Sequence, residues 1–244
     1  MNKKLENLNI LKKNAQLGDC SNCFVLINKE SGWTSFDVVA KLRSIFKTKK
    51  IGHGGTLDPL ATGLLICAVG KYTKKLPYIQ NMPKEYKAQF KIGATTVTND
   101  SEGDELNITS TEHISRNDIV NSLSHFLGEF KQVPPQYSAV HINGKRSYAL
   151  ARKGIEVDIP PRSVIVNSII LDNISTSFVN LTISCEKGTY IRSIARDFGT
   201  TLNVGSYMSS LVRSAIGFHS ISDSFTIPEL QKYFEKNINL IVDK

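Results

Sequence analysis

Three short segments of the 244-residue chain hold most of the side chains that can do chemistry. The first is Gly52-His53-Gly54-Gly55-Thr56-Leu57-Asp58-Pro59-Leu60-Ala61-Thr62-Gly63, which presents one imidazole and one carboxylate on a glycine-rich backbone. Glycines accept positive φ and let another backbone or a substrate approach closely. No Gly-Lys-Ser/Thr closes the segment, so it is not a Walker-type phosphate loop. Asp58 with Pro59 reads in two ways. It can cap a helix with proline in the first turn, or it can be a carboxylate offered to a substrate as base or nucleophile. Taken alone, the pair favours the cap.

The second segment is Gln132-Val133-Pro134-Pro135-Gln136-Tyr137-Ser138-Ala139, followed by Gly144-Lys145-Arg146-Ser147-Tyr148 and Arg152. Its double proline fixes an extended path, and the cations beyond it suit phosphates, although a plain turn explains the prolines equally well. The third is Lys187-Gly188-Thr189-Tyr190-Ile191-Arg192-Ser193-Ile194-Ala195-Arg196-Asp197. There Thr189 is placed to cap a helix whose first turn carries Tyr190 and Arg192. A guanidinium at that point either pairs with a carboxylate or solvates the surface.

The elements that position these segments follow from periodicity. Phe24-Val25-Leu26-Ile27 reads as a buried strand. Thr34 or Ser35 caps a helix with Val38, Val39, Leu42, Ile45 and Phe46 at the 3.6-residue period. A loop over 51–63 leads into an apolar strand at 64–69. Glu85–Ile92 alternates polar and apolar, as in a strand with one wet face. A second amphipathic helix runs from about Ser115 to Leu127 and stops at Gly128. Strands follow at Val164–Leu171 and Phe178–Cys185, separated by Asp172-Asn173. A helix from Tyr190 to about Phe198 buries Ile191, Ile194 and Ala195, and another lies around Pro228–Phe234. Strands and helices mix without βαβ alternation, which predicts an α+β fold with a mixed, mainly antiparallel sheet flanked by helices. Residues 1–22 read as a polar extension, a loose helix or tail spaced by Leu5, Leu8 and Leu11, and 23–244 as one domain.

The chain carries 30 Lys+Arg against 22 Asp+Glu, a net charge of +8, and residues 36–100 alone hold eleven basic and four acidic groups. Arg43, Lys47, Lys49, Lys50, Lys71, Lys74 and Lys75 are the centre of that excess, a surface suited to a polyanion. The longest purely apolar run, Leu64–Val69, has six residues, far short of a bilayer span, and Met1–Glu6 leads into no continuous apolar segment, so no secretory signal is expected. A soluble cytoplasmic protein with no membrane partner is expected. Cys20 and Cys23 have zinc-pair spacing, but no second pair accompanies them, so reduced thiols and no metal are expected.

Together, the three segments resemble the TruB family of tRNA pseudouridine synthases. The Gly52–Gly63 stretch is similar to that family's catalytic loop. The flanking pieces fall in the same order: Gly32-Trp33-Thr34-Ser35 before it, Gly70 with Thr73-Lys74 after it, then Lys84-Glu85-Tyr86-Lys87, Thr98-Asn99-Asp100-Ser101-Glu102-Gly103, Pro134-Pro135 and the Lys187–Arg196 segment. The resemblance spans about residues 24–218 and implies a pseudouridine synthase fold. It also implies isomerisation of the T-loop uridine 55 of tRNA with no cofactor and no required protein partner. Asp58 would be the catalytic carboxylate, reversing the cap reading. Arg192 would be its ion-pair partner, and Tyr86 would stack on the target base. His53, Tyr190 and Leu211 would line the pocket, and Lys49, Lys50 and Lys74 fit the RNA backbone.

Departures from the family pattern are local. Lys29-Glu30-Ser31 replaces a usual Lys-Pro, Val97 stands where an acid is common, and His141 where a lysine is common. After the helix near Pro228–Phe234, no C-terminal RNA-binding module of the PUA type is expected. Two alternatives remain beside this reading: a synthase acting on another RNA, and an RNA-binding folding factor with secondary catalysis.

Overall fold

The structure is a computed structural model and describes residues 8–13, 20–138, 140–142 and 144–237. Residues 1–7 and 14–19 of the expected N-terminal extension, Leu5 among them, and Ala139 of the double-proline segment lie outside the described residues. The chain divides into two compact units, the first formed by residues 1–84 and 212–244 and the second by residues 85–211.

The first unit opens with β1 (Ile10–Leu11), which runs parallel to β2 (Phe24–Lys29). Here the expected extension contributes to the core, since Leu11 is buried. Helix α1 (Ser35–Ile45) begins at Thr34, which accepts from the Asp37 N–H while the Asp37 carboxylate accepts from the Thr34 N–H, a reciprocal capping box. The expected loop at 51–63 is partly strand: β3 (Ile51–His53) pairs antiparallel with β4 (Thr62–Val69), His53 opposite Cys67. A 3-10 turn over Gly70–Lys75 leads into α2 (Leu76–Asn81).

β2 and β4 pair antiparallel and are covered on both faces. Val25, Ile27, Leu65 and Cys67 pack with Val38, Val39 and Leu42 of α1, whereas Phe24, Leu26, Leu64 and Ile66 pack with Ile79 and Met82. Burial on both faces explains why 64–69 is continuously apolar rather than alternating. Burial also pushes the Cys67 thiol up to about 12, leaving it protonated and inert. No disulfide joins the four cysteines.

The second unit begins with β5 (Lys84–Ile92), whose first residue belongs to the first unit. Helix α3 (Arg116–Ser124) starts with another capping box, Ser115 with Asp118. It ends a turn short of Leu127, and Gly128, at positive φ, opens β6 (Gly128–Gln132). A small hairpin, β7 (His141–Ile142) with β8 (Lys145–Arg146), leads into α4 (Ser147–Ala151). β9 (Arg162–Ser175) continues through Asp172-Asn173 with a shift of register at Asp172, and the reversal to β10 (Phe178–Cys185) comes at Thr176, at φ 52°. Helix α5 (Ile191–Thr201) packs Ile194, Ala195 and Phe198 inward, the Phe198 ring lying 6.0 Å from that of Phe90. Strand order is β11-β5-β10-β9-β6.

β11 (Ser206–Ile216) starts in the second unit and ends in the first, where Val212 and Arg213 pair parallel with Thr62 and Gly63 of β4. β12 (His219–Ser220) and α6 (Ile227–Asn237) complete the first unit. β1–β2 and β4–β11 pair parallel, whereas β2–β4, β3–β4, β6–β9, β9–β10 and β11–β12 pair antiparallel, so the sheet is mixed, as the sequence predicts.

His219 is held neutral, because burial and then the Lys12 charge lower its pKa against a smaller opposing effect of Asp223. A histidine that takes up a proton more readily when unfolded contributes stability above its unfolded value of about 6.5, and that contribution is lost as pH falls below it. The urea midpoint is therefore expected to fall between pH 7.5 and 5.5. His219→Phe should reduce that fall, leaving the part due to His53, which is shifted the same way. An unchanged pH dependence in the variant would contradict this.

Candidate active site

Asp58 does not cap a helix. Residues 54–61 form an irregular loop between β3 and β4, half-burying Asp58, and Ala61 N–H donates to the Asp58 carbonyl at 3.1 Å. Neighbouring segments hold this loop by its backbone at almost every step. Leu57 N–H donates to Ser35 Oγ at 2.9 Å, and that hydroxyl lies 3.2 Å from the Leu57 carbonyl. The Pro59 carbonyl accepts from Gly32 N–H at 2.9 Å and from Lys29 Nζ at 3.1 Å. Lys29 is 1% exposed, and its ammonium also donates to the carbonyls of Glu30 and Trp33. Gly32-Trp33-Thr34-Ser35 is thus a brace for the loop, and the Lys29 departure keeps its cation where the loop needs it.

Arg213 was not singled out in the sequence. It is 1% exposed and donates through Nε to Leu64 O (2.7 Å), through Nη2 to Gly55 O (3.0 Å) and through Nη1 to Thr56 O (3.3 Å). Its backbone requires Gly63: a Cβ there would lie 2.4 Å from the Arg213 carbonyl oxygen, and Gly63 sits at φ +103°. The available signal was an arginine within the alternating run Ser206–Ile216, where a charge at an inward position must meet buried acceptors. His53 lies at the start of the same loop. Burial, and then the Arg213 charge, lower its pKa, so the imidazole is neutral at pH 7. Lys49, Lys50 and Lys74 are exposed, and Gly70 N–H donating to the Lys50 carbonyl ties the 3-10 turn to them.

Tyr86, Tyr190, Arg192 and Leu211 are fixed within the second unit. Tyr86 is half-buried on β5, and Leu211 is buried on the neighbouring β11. Tyr190, not Thr189, is the N-cap of α5, and no side chain caps it; Thr189 Oγ1 donates instead to Glu186 O. The buried Gln132 amide clamps Tyr190 by its backbone, accepting from its N–H at 2.9 Å and donating to its carbonyl at 3.1 Å. The Arg162 guanidinium lies 4.6 Å from the centre of the Tyr190 ring. Arg192 is 5% exposed and pairs with the buried Asp100 at 3.4 Å, also donating to the carbonyls of Thr98 and Tyr137. The Thr98–Gly103 turn and the double-proline segment therefore meet on α5. Ser193 and Arg196 add two bonds to the Val133 carbonyl.

The mixed α+β fold is that of the pseudouridine synthases, which are isomerases. Residues 43–191 match the family described as TruB family pseudouridylate synthase (N terminal domain). The tRNA pseudouridine synthase B of Clostridium kluyveri is 45% identical over 204 residues, covering 84% of this chain and 70% of that protein. Its counterpart in Borreliella burgdorferi is 44% identical over 214 residues, covering 86% and 75%. The chain belongs to the TruB family. Among solved structures, a chain in the crystal structure of a Cbf5-Nop10-Gar1 complex superposes with a TM-score of 0.68 at 29% identity. That match covers 90% of this chain and 56% of the other. No helix among the described residues is long and apolar enough to cross a membrane.

Proposed function

We propose that the protein converts uridine to pseudouridine at position 55 in the T loop of tRNA, in the cytoplasm, with Asp58 as the reacting carboxylate. The observation that carries this reading is the membership just described, at 45% identity to a tRNA pseudouridine synthase B, together with a loop whose single carboxylate is braced on both sides. The reaction breaks the uracil N1–C1′ bond, turns the base and rejoins it through C5. Substrate and product have the same composition, so no redox partner is needed. Asp58 acts either on the ribose carbon or by removing a ribose proton, and the target uridine must first leave its stack. Arg192 serves as the carboxylate's cationic partner. Tyr86 receives the flipped base on its ring, and His53, Tyr190 and Leu211 shape its pocket. The test is to incubate the protein with unmodified tRNA and with a T-arm stem-loop and map every pseudouridine. One new pseudouridine, at position 55, is expected; conversion elsewhere, or none, would overturn the assignment.

Three variants probe the proposed contacts. Stacking of a base on an aromatic ring is worth about 1–3 kcal/mol, so Tyr86→Leu should weaken capture of the flipped uridine while Tyr86→Phe retains it. Equal turnover in wild type and Tyr86→Leu would remove the stacking role, and a Phe variant as poor as Leu would assign the work to the hydroxyl. Replacing Lys49, Lys50 and Lys74 together with glutamine should flatten the dependence of log affinity on log salt by about three units and leave turnover at saturating RNA intact. An unchanged slope would place the phosphate contacts elsewhere.

A further inference from the structure

Each limb of the Asp58 loop is held differently. The limb leaving the carboxylate, Pro59 onward, is tied to the nearby 29–35 segment by Lys29, Gly32 and Ser31. On the entering limb, the carbonyls of Gly55 and Thr56 both accept from one side chain, Arg213, which stands 157 residues from Thr56. That guanidinium is fully buried, and among the described residues no carboxylate pairs with it. Burying a cation this way is costly, and a methionine would fill the same space without that cost. The charge is offset by three hydrogen bonds to carbonyls, one on β4 and two on the loop, and the planar fork fixes their relative positions as an ammonium cannot. Gly55, at φ +147°, places its Cα so that an added Cβ would lie 3.7 Å from Arg213 Nη1. Gly63 admits the Arg213 backbone itself. Two consecutive carbonyls of the loop thus meet a single side chain.

We propose that Arg213 is the positioning residue of the active-site loop: by pinning Gly55 and Thr56 to β4 it sets the path along which the backbone delivers Asp58. The inference rests on the reading of Asp58 as the reacting carboxylate. Arg213 acts through the loop rather than on substrate, so its loss should lower the rate of the chemical step and not the grip on RNA. A misplacement of about 1 Å in a reacting group costs about 100-fold in rate.

The experiment compares Arg213→Met, Arg213→Lys and wild type, with Val179→Ala, a core truncation in the other unit, as a stability control. Each is measured for single-turnover rate at saturating tRNA, tRNA affinity, urea midpoint, and amide exchange at Leu57 and Ala61. Arg213→Met is expected to lose about 100-fold in rate, keep its tRNA affinity, and exchange faster at both amides. Arg213→Lys should fall between, and Val179→Ala should keep its rate. If Arg213→Met does not fold, the same comparison is made with Arg213→Lys. An equal loss of rate in Arg213→Met and Val179→Ala, a loss confined to tRNA affinity, or unchanged exchange at Leu57 and Ala61 would overturn the positioning role. An active Asp58→Asn variant would instead overturn the reading beneath it, and the exchange data distinguish the two failures.

Discussion

Asp58→Asn should abolish pseudouridine formation and leave the protein folded and able to bind tRNA. The bonds named above that shape the loop use the backbone of Gly55, Thr56, Leu57, Pro59 and Leu60 and the Asp58 carbonyl. An amide of nearly the same size therefore leaves that frame in place. The variant cannot attack as a carboxylate and is a far weaker base. Removal of a general base typically costs about 10²–10⁴ in rate, and removal of a nucleophile about 10⁶. Single-turnover conversion of the T-arm uridine, beside the urea midpoint and the dissociation constant for tRNA, measures all three consequences. A variant within tenfold of wild type would show that Asp58 is not the reacting group. Survival of tRNA folding activity in an inactive variant would give the folding-factor reading a share of the function.

The second large effect concerns Arg192. Its guanidinium pairs with Asp100, which is 1% exposed, and Arg192→Met takes that cation away from a carboxylate that stays in the interior. Breaking one side of a buried pair costs about 3–5 kcal/mol, so a large drop in urea midpoint is expected. The double variant Arg192→Met with Asp100→Asn removes the stranded charge and should recover much of that loss. Activity separates the roles. If Arg192 serves Asp58 as well as Asp100, the double variant regains stability and stays inactive. Activity returning with stability would make Arg192 a structural residue only.

How much of this was legible in the sequence depends on where each residue's partners lie. The helix cap at Thr34 or Ser35, the strands from Phe24 and from Glu85 and the inward face of α5 were readable because each is written within a few neighbours. Asp58-Pro59 misled as a cap, since those two residues suit a helix start equally well, and only the braces from Lys29, Ser35 and Arg213 make the segment a loop. Thr189 lost the cap position because Gln132 already binds the Tyr190 backbone across 58 residues. Asp172-Asn173 reads as a break, yet pairing with β10 carries β9 through it until Thr176. Arg213 was passed over for a related reason: its inward place in the run calls for buried acceptors, but nothing there says which, since they lie about 150 positions away.

The shared strand has a consequence for synthesis. β4 is finished by residue 69, but its parallel neighbour at Val212–Arg213 and the Phe225 backbone that bonds Leu26 and Asn28 emerge from the ribosome only after the entire second unit. The first unit is thus discontinuous in time as well as in sequence. At about 5–20 residues per second, a nascent chain waits roughly ten seconds or longer with Thr62 and Gly63 of β4 lacking their strand partners and the Asp58 loop unpinned. An open strand edge is an invitation to mispairing, and this one closes only after the chain has passed through the whole second unit and returned.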